Sequence, residues 1–225
     1  MNNLPIRVAI TGALLAAAVG FAAPALADDT ESSASSASES TESWTMPDVT
    51  GGDLQEGLDV AEASMSDYSR QVVRVAHSLP APVVICGWSV GALVALQAAD
   101  EASSVGVIML DPSLPGEVRG FHPDISIRRG LFESQQEYEP FPPDIHTRPD
   151  SLVARSERQR GIPAPSINCP SLVMASGGFS PENSQRVADL YNAPFKLFPD
   201  LGHFTLVRDP RPRRSVAEFI ATLST

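Results

Sequence analysis

Basic residues are scarce in this chain. Its 225 residues hold 16 Lys and Arg against 27 Asp and Glu, a formal charge of −11. Nucleic-acid binding sets cations against phosphates, so this composition disfavours it. Cysteine is scarcer still, with only Cys86 and Cys169, so no disulfide framework supports the fold. The four histidines, His77, His122, His146 and His203, are scattered. No clustered metal-ligand spacing, phosphate-cradling glycine loop or cofactor motif is visible, and no cofactor or metal is expected. What the chain does have is apolar residues: 43% of the total, enough to build a core.

The first of them are concentrated at the N-terminus. One positive charge, Arg7, precedes the charge-free run "VAITGALLAAAVGFAAPALA". The run ends in Ala25-Leu26-Ala27, a small-x-small pattern, and Asp28 and Asp29 follow. Residues 1–27 therefore read as a secretory signal peptide, with a secreted or extracytoplasmic mature protein and no stable membrane anchor after cleavage. No cysteine stands at the cleavage point to carry a bacterial-type lipid. Residues 28–45, mainly "DDTESSASSASESTES", are Ser-rich and acidic. They bury too little apolar surface to offset their ordering entropy and read as a disordered linker.

From residue 46 to 225 the pattern changes to short apolar runs alternating with helical spacing. "PVVIC", "VGVIMLD", "SLVMASG" and "FKLFP" read as buried strands. Helical spacing appears toward the end of 53–79, in "GALVALQAADEA" and in "RSVAEFIATLS". Wholly apolar strands separated by helices predict an α/β fold with a mostly parallel sheet flanked by helices. Between about 112 and 168 the rhythm breaks into a Pro-rich excursion, holding the exposed-looking helix "SLVARSERQRGI" and placed to act as a cap. In a parallel sheet Cys86 ends one strand and Cys169 begins another, so two separate thiols are expected.

One strand-to-helix junction carries chemistry. "VVICGWSVGALVALQAAD" contains Gly87-Trp88-Ser89-Val90-Gly91 between an apolar strand and a helix. A serine on so sharp a turn is exposed and strained, and its flanking glycines admit the crossing helix. The helix N-terminus behind it favours developing negative charge. "FPDLGHFTLVRDP" then places His203 after the last strand, where a base would sit.

These stretches resemble the α/β-hydrolase superfamily: "MPDVTGGD" its segment after an early strand, "GWSVGA" its nucleophile elbow, "MLDPS" its next strand end and "LGHF" its histidine loop. The resemblance implies a serine hydrolase that cleaves a small-molecule ester or thioester through an acyl-enzyme on Ser89. His203 would be the base and the Val90 N–H an oxyanion donor. The alternative is a catalytically impaired hydrolase-like domain that only binds a ligand or partner. Two departures stand out. The usual acid position reads "SGGFSPENS" without Asp, leaving Asp111 as the favoured acid and Glu182 as the alternative. Asp200 is expected to turn away into its loop. The usual N-terminal strands, and the second oxyanion donor they carry, have no visible counterpart. One sheet edge is therefore expected to be uncovered, which favours homodimerisation or instability.

Overall fold

The protein is described by a computed structural model covering residues 7–12 (backbone only), 55, 57–132 and 149–223. The expected linker at 28–45 and the "MPDVTGGD" stretch lie outside the described residues. In chain order the elements are β1 (Arg7–Gly12), α1 (Met65–Ser78), β2 (Val83–Trp88), α2 (Val90–Ala98), β3 (Gly106–Leu110), α3 (Gly116–Arg119) and β4 (Leu131–Phe132). There follow β5 (Asp150–Ser151), α4 (Leu152–Arg160), β6 (Ser171–Ser176), α5 (Pro181–Leu190), β7 (Phe195–Phe198), α6 (His203–Leu206) and α7 (Pro210–Leu223).

Five strands form one parallel sheet in the order β1-β2-β3-β6-β7. Its two faces sort the apolar runs by parity, because successive side chains point to opposite sides. Val83, Ile85, Val107, Met109 and Val173 enter one buried cluster with residues of α1, α2 and α5. Val84, Cys86, Trp88, Ile108, Leu110, Leu172 and Met174 enter another with Leu206 and Ile220. Burying each Val, Leu or Ile contributes about 1.5–3 kcal/mol, so the strands are apolar on both faces for a reason.

The helices follow the same logic. α1 buries Met65, Tyr68, Val72, Val73 and Ala76, one stripe at helical spacing. Ser64 caps its start: the Ser64 hydroxyl accepts from the Asp67 N–H, and the Asp67 carboxylate accepts from the Ser64 N–H. The Ser64 hydroxyl, which also donates to the Asp67 carboxylate at 2.6 Å, and then the Ser64 N–H hold that carboxyl below its ordinary pKa. α2 has no polar stripe. It lies between the sheet and α1, and nearly all of its residues are buried. α5 has no counterpart in the sequence reading, because "PENSQRVADL" carries few apolar residues and buries only Ser184, Val187 and Ala188.

At the N-terminal side the structure differs from expectation. The edge of β2 is covered. β1 pairs with it in parallel over its whole length, from Arg7↔Val83 to Gly12↔Trp88. Arg7–Gly12 belongs to the segment that reads as an export signal, and here it is a strand of the sheet.

The excursion between β3 and β6 leaves the sheet as expected. Its return is anchored at Asp150, which is buried: the carboxylate accepts from Tyr68 Oη at 3.2 Å, Ser151 N at 2.8 Å and Arg158 Nη2 at 2.7 Å. α4 packs on α1 and buries Val153, Ala154 and Ser156, so the charged helix expected to be exposed is half covered. Arg119, His122, Arg128 and Gln159 help line an open cavity of about 540 Å³ in the excursion, away from the residues discussed next.

The two cysteines are not joined by a disulfide, as the parallel topology requires. Cys86 is level with Leu172 across β3, and Cys169 lies three residues before Leu172. Two strand spacings and three residue rises put them roughly 14 Å apart, too far for a bond. Burial pushes the Cys86 thiol up to about 12 and raises Cys169 less.

Candidate active site

The loops at the C-terminal ends of the central strands are tied to one another by backbone hydrogen bonds. Ser89 N donates to Leu110 O at 2.9 Å, and Ser113 N donates back to Ser89 O at 2.9 Å. Asp111 N donates to Met174 O at 2.9 Å. Gly177 N and Gly178 N donate to Phe198 O and Leu201 O, at 2.9 and 3.1 Å. Each loop is thus registered on the next strand, which is why residues distant in sequence converge at this edge.

Ser89 sits between β2 and α2 with φ 56° and ψ −122°. Few non-glycine residues adopt such a conformation, and it persists only where the surroundings enforce it. The reason lies partly at Gly87, where a Cβ would run into the Gly91 carbonyl and the Ala92 Cα. Only a glycine lets α2 cross the strand this closely. Val90 is the first residue of α2, and its N–H has no acceptor inside the helix.

Asp111 ends β3 with φ 41° and is fully buried. Its carboxylate is held at three points. Oδ1 accepts from Ser176 N at 2.8 Å, and Oδ2 accepts from Ser176 Oγ at 2.6 Å and from His203 Nδ1 at 3.0 Å. A buried carboxylate requires such partners, since desolvation without them is costly. The structure therefore brings Asp111 and His203 together. It does not bring Glu182 there: that residue is exposed in the first turn of α5. Asp200 is turned outward, where Arg211 binds it through two bonds of 3.1 and 2.7 Å.

His203 opens α6, and its ring is enclosed. The Trp88 ring centroid lies 4.5 Å from that of His203, with the planes tilted by 32°, and Phe179 stacks on His203 at 4.0 Å with 25° between planes. Trp88 Nε1 also donates to the His203 carbonyl at 3.1 Å. These contacts fix the ring plane while Asp111 fixes the Nδ1 end, leaving Nε2 for a substrate or nucleophile proton. Among the described residues no hydrogen bond joins Ser89 Oγ to His203. Such contacts are often long without substrate and close on binding.

Ser176, Trp88 and Phe179 escaped the sequence reading as supports of the site. Ser176 had one signal: it ends the strand after which the resemblance implies an acid, and here it holds the Asp111 carboxylate at the end of the neighbouring strand. Trp88 was visible only as the variable residue of the elbow, and Phe179 gave no signal.

No protein-family model matches the sequence, and no curated protein matches it significantly. Solved structures do match. Alpha/beta hydrolase domain-containing protein 10 from mouse is 17% identical, with 74% of this chain and 71% of that one covered, at a TM-score of 0.51. A structure from the study of LipS and LipT, two metagenome-derived lipolytic enzymes, is 16% identical, with 72% and 76% covered, at a TM-score of 0.50. At such identities the likeness concerns the backbone. Together with the parallel sheet flanked by helices, it shows that the chain has the fold of the α/β-hydrolase superfamily.

Proposed function

We propose that the protein is a serine hydrolase that cleaves a small-molecule ester or thioester through an acyl-enzyme on Ser89. The observation that carries this reading is the buried Asp111 carboxylate 3.0 Å from His203 Nδ1, at the same sheet edge as a strained serine. Asp111 holds the Nδ1–H tautomer, so Nε2 is the basic nitrogen. Nε2 takes the Ser89 proton as Oγ attacks the carbonyl carbon. The Val90 N–H, at the start of α2, donates to the oxygen that becomes negative. The C–O or C–S bond then breaks as the imidazolium returns the proton to the leaving group. Water, activated by the same nitrogen, releases the acid and restores Ser89.

A fluorophosphonate probe tests this directly. Labelling of the folded protein at Ser89, abolished by Ser89→Ala, is the expected result. A folded protein that the probe leaves unmodified would mean that the site only binds ligands.

A further inference from the structure

The N-terminal segment has two incompatible roles. By sequence, residues 1–27 have the charge, apolar run and Ala25-Leu26-Ala27 ending of a segment that is cut off. By structure, Arg7–Gly12 is the strand that pairs with β2 at all six of its positions, and α1 and α2 both pack across it. β2 is the strand that ends in Ser89. We propose that the catalytically competent form is the one that keeps β1 in the sheet and that loss of residues 1–27 after cleavage at Ala27 inactivates the site. The activity part of this inference rests on the hydrolase reading above; the structural part does not.

β1 reaches Gly12 in register with Trp88, so it supports β2 right up to the residue before Ser89. Without β1, one row of backbone N–H and C=O groups along β2 loses its partners. The strand bearing the nucleophile then becomes the edge of the sheet. The Ser89 backbone, at φ 56° and ψ −122°, is held there only by the structure around it. α2 packs on β1 as well as on β2, so it loses part of its seat too, and with it the placement of the Val90 N–H. A bare β2 edge is also open to pairing with a second chain.

The test places a site-specific protease sequence between Ala27 and Asp28. The whole chain is folded and purified, and then cut. The 1–27 fragment should co-elute with 28–225 in size exclusion, the amides of Val84–Trp88 should stay protected from hydrogen exchange, and fluorophosphonate labelling should persist. Stripping the fragment in denaturant and refolding 28–225 alone should slow labelling by about a hundredfold or more, the cost of misplacing reacting groups. Adding the fragment back should restore it, which separates loss of the strand from general misfolding. In the uncut chain, Ile10→Pro, which sets a residue of fixed φ in the middle of β1, should also slow labelling. The proposal is overturned if the fragment elutes separately while 28–225 labels at the uncut rate, or if exchange at Val84–Trp88 is the same with and without it. If even the uncut chain is not labelled, the hydrolase reading fails, while co-elution and exchange still decide whether β1 is part of the sheet.

Discussion

Replacing Asp111 by Asn tests the site most sharply, because the surroundings dictate how the new side chain must sit. Ser176 N can only donate, so the Asn carbonyl oxygen takes the Oδ1 position, 2.8 Å from it. The Asn NH2 group must then take the Oδ2 position, facing Ser176 Oγ and His203 Nδ1. Ser176 Oγ can rotate and become an acceptor. His203 can accept only if Nδ1 gives up its proton, which moves the proton to Nε2 and removes the base. The same tautomer switch in a serine protease triad lowers turnover by about ten-thousandfold. That corresponds to about 5.5 kcal/mol of lost transition-state stabilisation. Because Asn matches Asp in shape and keeps the Ser176 bonds, the thermal midpoint should change little by comparison. Hydrolysis of p-nitrophenyl esters measures the turnover, and nitrogen NMR of His203 reads the tautomer directly. Turnover within tenfold of the parent, or a proton still on Nδ1 in the variant, would refute the reasoning.

Glu182→Gln should leave turnover and stability unchanged, since that carboxylate is exposed and far from His203 in role; steady-state kinetics decide it. Gly87→Ala should cost at least about 1–3 kcal/mol, or prevent folding, because its Cβ meets the Gly91 backbone; denaturant titration reads it. Ser64→Ala should cost about 1 kcal/mol through the lost α1 cap, measured the same way. Arg211 holds Asp200 and Asp209 below the ordinary aspartate value of 3.8, so its contribution to the histidine loop is present above that value and fades as pH falls through the lowered ones. The midpoint difference between Arg211→Ala and the parent should therefore be constant from neutral pH to about 5 and shrink only in stronger acid. With its thiol pushed up to about 12, Cys86 should resist alkylation in the folded protein while the half-buried Cys169 reacts, as peptide mapping would show.

The central strands, the tight turn at Ser89 and the place of His203 after the last strand were legible in the sequence because each is written in local terms. A run such as "VVIC" can be satisfied only between two apolar layers, and Gly-x-Ser-x-Gly between a strand and a helix describes one tight turn. Asp111 could be favoured because a strand end holds a short carboxylate rigidly. That its carboxylate, and not that of Glu182, meets His203 was set by tertiary structure, through Ser176 on a neighbouring strand and His203, 92 residues away. The enclosure of His203 by Trp88 and Phe179 likewise depends on loops meeting across the sheet edge. The N-terminus shows the limit most plainly. With the apolar Val8-Ala9-Ile10 behind the single charge of Arg7, residues 7–12 suit either an export signal or a parallel strand, because both are selected for the same avoidance of water. Composition does not separate them; only the pairing of Arg7–Gly12 with the six residues leading to Ser89 does.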